Sequence, residues 1–130
     1  MPSIFSKIIN GEIPCYKVAE DHKHLAFLDI QPLQKGHTLV IPKVDVDYFF
    51  DLREDQYLDL MAFTRKVAHS LKLAIPCKKI CVSVLGFEVP HAHIHLIPAN
   101  SETDAFFSNP KLKLTHEEME SIAKKIFFHF

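Results

Sequence analysis

The sequence predicts an α+β domain built on antiparallel strands, and three observations carry that expectation. Apolar residues alternate in five short runs, they recur at three and four in two longer ones, and the strand-like runs are joined by short links. No repeat, linker or composition break divides the 130 residues, so residues 1–130 read as one domain.

Taken in order, residues 4–9 look like a short helical turn that stops at Asn10-Gly11, a common C-cap pair. After Pro14, residues 16–19 and 25–29 alternate as strands, and Glu20-Asp21-His22-Lys23 joins them as a hairpin. Residues 31–36, with Pro32 and Gly36, form a loop. Residues 37–41 are a third strand, ended by Pro42. Asp51-Leu-Arg-Glu54 has capping-box spacing. From there Tyr57, Leu60, Met61, Thr64, Val67, Ala68 and Leu71 mark an amphipathic helix of about five turns, closed by Pro76. Residues 80–85 and 91–97 are two further strands separated by Gly86 to Pro90. Thr115-His-Glu-Glu118 is a second capping box, followed by a helical stripe of Met119, Ile122, Ala123, Ile126 and Phe127. The aromatic end Ile126-Phe-Phe-His-Phe130 would expose a greasy patch if frayed, so it is expected to pack on the core or on a partner subunit.

Composition narrows the function. With 15 Lys plus Arg against 16 Asp plus Glu, the formal charge is -1, which provides no footprint for a nucleic-acid backbone. No run approaches the ~18–20 apolar residues of a membrane helix, and the first residues lack a secretory apolar core. Three cysteines (Cys15, Cys77, Cys81) are too few for a disulfide framework. These features read as a soluble, reduced, cytoplasmic domain.

Nine histidines are out of proportion, and three fall in Pro90-His91-Ala-His93-Ile-His95-Leu-Ile97. In a strand, His91, His93 and His95 share one face at steps of about 6.5–7 Å, while Ala92, Ile94 and Leu96 share the other. Sheet stability asks for the second face and not for the first. A polar stripe facing solvent would explain one histidine better than three at period two. A shared zinc ion is one use for the row, but His91 and His95 would lie about 13 Å apart by strand rise, and no further ligand set is evident. Nucleophilic or acid–base catalysis is the other use, and the better supported. Imidazole can attack, take a proton or hold a negative charge near neutral pH.

The same residues resemble the histidine-triad signature, His-φ-His-φ-His-φ-φ. Residues 4–14 (IFSKIINGEIP), 26–32 (AFLDIQP) and 35–43 (KGHTLVIPK) are similar, in order and spacing, to the Hint branch of small nucleotide-binding hydrolases. The resemblance implies a homodimer, each subunit with a five-stranded antiparallel sheet, a long helix and a C-terminal helix. It implies binding of purine nucleoside monophosphates and cleavage at the α-phosphate, typically of a phosphoramidate P–N bond, with no cofactor. His93 would be the nucleophile and carry a nucleotidyl-imidazole. His95 would sit on the phosphate oxygens and help protonate the leaving amine, and His91 would orient the nucleophile. His37 matches a fourth histidine of the site. Asp29 matches the acid on the ribose hydroxyls, with Ile30 beside it, and Phe5, Ile8 and Ile13 match the wall that holds the base.

Departures from that pattern are informative. The segment before the triad reads Gly86-Phe87-Glu88-Val89, so a Gln is replaced by Phe87 and a phosphate-assisting Ser by Glu88. A carboxylate beside a phosphate repels it, so Glu88 is expected to face outward and leave the backbone N–H groups of the Gly86 loop to the phosphate. Ser83 is the nearest polar residue where the family often supplies an Asn. Ser3-Ile-Phe-Ser6 stands where some bacterial relatives carry a zinc-binding Cys-x-x-Cys, so no such metal is expected. Two other functions share these residues: hydrolysis of dinucleoside polyphosphates, and nucleotide binding with little turnover.

Overall fold

A computed structural model describes residues 3–130. Eight elements follow in the order α1 (Ile4–Ile9), β1 (Lys17–Glu20), β2 (His24–Leu28), β3 (Thr38–Pro42), α2 (Glu54–Ala74), β4 (Lys79–Ser83), β5 (Ile94–Ala99) and α3 (His116–His129). The strands form one antiparallel sheet in the order β1-β2-β3-β5-β4, as the fold class requires.

Register explains why the three central strands are buried on both faces. Ala26 pairs with Val40 and Val40 with Ile94, and these side chains pack under α2 and α3 with Leu60, Val67, Leu71 and Ile122. Phe27 pairs with Leu39 and Leu39 with His95, which puts His95 on the opposite face beside Phe5, Leu25 and Ile41. A fully buried aliphatic side chain of this kind stabilises by about 1.5–3 kcal/mol, so one face anchors the sheet. The other face carries the histidines under α1.

Local chemistry sets most of the boundaries. The Ser3 hydroxyl caps α1 by accepting the Ser6 N–H, and Gly11 follows the Asn10 cap at φ +78°. Thr115 and Glu118 make the expected capping box on α3, each side chain bonded to the other's backbone N–H. Gly36 holds φ +88°, and a Cβ there would meet Ile75 Cγ1 at 2.9 Å, so only glycine lets the loop turn against the end of α2 and deliver His37.

Three expectations need correction. The capping box at Asp51 does not start α2. Residues Phe49–Asp51 form a separate 3-10 turn, Leu52 is extended, and Gln56 accepts the Arg53 N–H instead. Burial of Phe49 and Leu52 in the core breaks the continuity that the spacing suggested. The last ladder begins at Ile94, not His91, because the Ala92 N–H bonds to the Val46 carbonyl of a loop. Finally, Phe127, expected in the inward stripe of α3, faces out together with Phe128, the latter 83 % exposed, while Phe130 packs on Phe63 with ring centroids 5.6 Å apart. Helical periodicity turns Met119, Ile122, Ala123 and Ile126 inward and leaves Phe127 and Phe128 on the far side.

Candidate active site

Between α1, the histidine face of the sheet and the segment after β5 lies a cavity of about 520 Å³. It is lined by ten of the residues singled out in the sequence: Phe5, Ile8, Ile13, Asp29, Ile30, His37, Gly86, Glu88, His93 and His95. His91 is not among them. It lies behind the cavity, fully buried, with its ring 6.1 Å from that of Phe5. Glu88 is exposed at the rim, as expected, though close enough to push the Asp29 carboxyl up. Phe87 is 93 % exposed there. Ser83 pairs with His95 across the β4–β5 ladder but does not line the cavity.

The hydrogen bonds fix where each imidazole proton sits. Leu33 has only an N–H to give, and it donates to His37 Nδ1 at 3.0 Å. The neutral His37 ring therefore carries its proton on Nε2, which lies 3.0 Å from His95 Nδ1. His95 accepts there and keeps its own proton on Nε2. His93 Nδ1 lies 2.6 Å from the His91 carbonyl, which can only accept, so His93 Nε2 is a bare lone pair. His91 Nε2 donates in the same way to the Pro42 carbonyl at 2.8 Å. One ring thus presents a lone pair, and its neighbour, with centroids 5.0 Å away, presents an N–H.

Burial keeps these rings neutral. It pushes His37 down to about 3 and His95 down to about 4, with the neighbouring histidine and Lys111 adding to the effect. His93 is lowered by burial too, partly offset by its bond to the His91 carbonyl. Asp29 moves the other way: burial raises it, against the Gln31 N–H and Lys111. An unfolded chain takes up protons at His37 and His95 below about pH 6.5 while the folded chain does not, so stability present above that pH is lost as pH falls. The slope is up to about 1.4 kcal/mol per pH unit for each ring. The urea midpoint is expected to drop steadily from pH 6.5 to 5, and a flat profile over that window would contradict neutral, buried rings.

Metal binding fits poorly at both possible places. Asp29, His37 and His95 bring one donor atom each within 4.8 Å of one another. However, a cation on His37 Nε2 would displace its proton to Nδ1, against the Leu33 N–H. At the N-terminal position, Ser3 and Ser6 are neutral hydroxyls 3.2 Å apart, engaged with each other and with the α1 cap. Zinc sites use thiolate, imidazole or carboxylate, so these two residues do not supply one.

Residues that the sequence reading missed complete the wall. Phe107 stands edge-on to His95 at 4.8 Å and to His37 at 6.1 Å, and Lys111 lines the cavity beside it. The segment is tied down by the Leu112 N–H donating to the Pro32 carbonyl at 2.8 Å. The one available signal was Phe106-Phe107, two aromatics in an otherwise polar stretch.

A family model described as the HIT domain matches residues 10–102. The chain belongs to the HIT family. It is 35% identical over 132 residues to the adenosine 5′-monophosphoramidase of Schizosaccharomyces pombe, covering 97% of this chain and 96% of that one. Among solved structures, a HIT-like protein of Bartonella henselae superposes with a TM-score of 0.85 at 32% identity, covering 98% and 96%. A hypothetical histidine triad nucleotide-binding protein of Sulfolobus tokodaii does so with a TM-score of 0.82 at 30% identity, covering 97% and 90%. The resemblance read from the sequence is thereby established, as is the five-stranded HIT fold. Among the described residues no helix is long and apolar enough to cross a membrane.

Proposed function

We propose that this HIT protein hydrolyses purine nucleoside 5′-phosphoramidates or related AMP conjugates through a nucleotidyl-histidine intermediate. The observation that carries the reading is the pair of opposed tautomers, a bare Nε2 on His93 beside an Nε2–H on His95, in a cavity with an apolar wall and one carboxylate. The phosphoramidase relative, alike over nearly the whole chain, supports the substrate class.

In this reading Phe5, Ile8 and Ile13 hold the base, and Asp29, with Ile30 beside it, accepts hydrogen bonds from the ribose hydroxyls. His93 Nε2 attacks the α-phosphorus, the P–N bond breaks, and its electron pair leaves on nitrogen with a proton. The Nδ1–H bond to the His91 carbonyl stabilises the positive charge on the phosphorylated ring. His95 is neutral in the free protein, so it offers a hydrogen bond. The leaving nitrogen takes its proton from solvent, and His95 keeps its Nε2–H on the phosphate oxygens, because its Nδ1 already accepts from His37. The Gly86 loop gives backbone N–H groups to the phosphate, with Glu88 kept at the rim. Water then adds to phosphorus, releases AMP and restores the lone pair. A homodimer belongs to this reading: β4 is an edge strand, and Val82 on it, with Val84 and Leu85 just past its end, stands exposed for a second copy to cover.

The test is incubation of the protein with adenosine 5′-phosphoramidate, with and without EDTA, followed by mass analysis of rapidly quenched samples. Release of AMP unaffected by EDTA, with an AMP adduct on the peptide that contains His93, is expected. AMP binding without turnover would make it a binding protein, and loss of activity on chelation would make it a metalloenzyme.

A further inference from the structure

The proposed mechanism leaves the one cationic side chain of the cavity unused. Lys111 is the single Lys or Arg that lines it, and among the described residues it makes no ion pair. It is nevertheless held. Its Nζ donates to the Phe107 carbonyl at 3.0 Å and lies 5.3 Å from the Phe107 ring centroid, while Leu112 next to it is tied to Pro32. An ordered ammonium at the mouth of a cavity whose histidines are all neutral is its one full positive charge.

Its position separates it from the nucleophile. From His93 the rings run to His95 at 5.0 Å, then to Phe107 at 4.8 Å, and Lys111 lies on Phe107. Lys111 thus stands on Phe107 on the His95 side of the cavity, near enough for its charge to act on His37, His95 and Asp29. An anion one group removed from the α-phosphate would meet Lys111.

Resting on the nucleotide-site reading, we propose that Lys111 recognises a second phosphate-class anion on the bound nucleotide, and so selects nucleotides with two phosphate-class groups over AMP itself. Two positions on a nucleotide present that chemistry: the 5′ chain beyond the α-phosphate, on the leaving-group side, and the ribose near Asp29. A charge-assisted hydrogen bond to a partly exposed ammonium corresponds to roughly a 10-fold gain in affinity.

Calorimetric titration of AMP, α,β-methylene-ADP and adenosine 3′,5′-bisphosphate into the wild-type protein, Lys111→Gln and Lys111→Arg tests this. One of the two bisphosphorylated ligands is expected to bind the wild type about 10-fold tighter than AMP, and which one does so locates the second anion. Lys111→Gln should lose that preference, while Lys111→Arg should keep most of it, since the charge and reach remain. Equal affinities for all three ligands in the wild type would overturn the proposal. So would a parallel loss for AMP and the tighter ligand in Lys111→Gln, which would mark a structural role for the segment. Failure of AMP to bind the wild type at all would overturn the nucleotide site itself, a result visible before any variant is made.

Discussion

Replacement of His93 by alanine is expected to lower kcat for adenosine 5′-phosphoramidate by about 10⁴-fold or more, the scale on which loss of a covalent nucleophile acts. The size follows from what is removed. Burial and the His91 carbonyl spend their effect on holding one lone pair bare and aimed, and no other imidazole in the cavity presents one: His95 offers an N–H, and His37 has both nitrogens engaged. AMP affinity should change little, because the base wall and Asp29 are untouched. Truncation of this nearly buried ring, which lies edge-on to Phe5 at 5.0 Å, should cost about 1–3 kcal/mol of stability. Single-turnover kinetics with quenched-sample mass analysis checks the result. Retention of more than about a hundredth of the wild-type rate, or survival of the AMP adduct, would take the nucleophile away from His93.

How much of this was legible depends on how local the cause was. The α1 turn with its Asn10-Gly11 end, the β1–β2 hairpin and the Thr115–Glu118 box are decided within a few residues, and the structure keeps them. The side-sharing of the triad was legible as well. His91 and His93 both meet Phe5, although neither is in the ladder. What tertiary contacts decide was not legible. Val46 captures the Ala92 N–H and shortens β5, and the burial of Phe49 and Leu52 moves the start of α2. Phe107 and Lys111 reach the cavity only because Leu112 is tied to Pro32, eighty positions back in the chain, a contact that no periodicity encodes. The depth of His91 was hidden for the same reason: a row of histidines does not show which of them the Pro42 carbonyl will take out of the cavity.

Exchange of His37 for leucine is expected to reduce turnover by about 10²-fold without touching the nucleophile, the scale reported by removal of one preorganised donor. His37 is 1 % exposed, and its two nitrogens serve opposite partners: Nδ1 accepts from Leu33, and Nε2 donates to His95. The backbone N–H of a leucine in a tight loop thereby dictates, through one ring, that His95 carries its proton on Nε2. Leucine fills the volume and breaks the relay. The Leu33 N–H and His95 Nδ1 are then buried without partners, at about 1–3 kcal/mol each. His95 is freed to move its proton to Nδ1 and turn a lone pair toward an anionic phosphate. His37→Gln should recover part of the rate, since its amide can accept from Leu33 and donate to His95. Nitrogen chemical shifts of His95 separate this cause from simple loosening: the leucine variant should show the proton redistributed between Nδ1 and Nε2, and the glutamine variant should show it mainly on Nε2. A leucine variant with the His95 tautomer unchanged and turnover intact would mean that His95 holds its proton without help, and that His37 is only a packing residue.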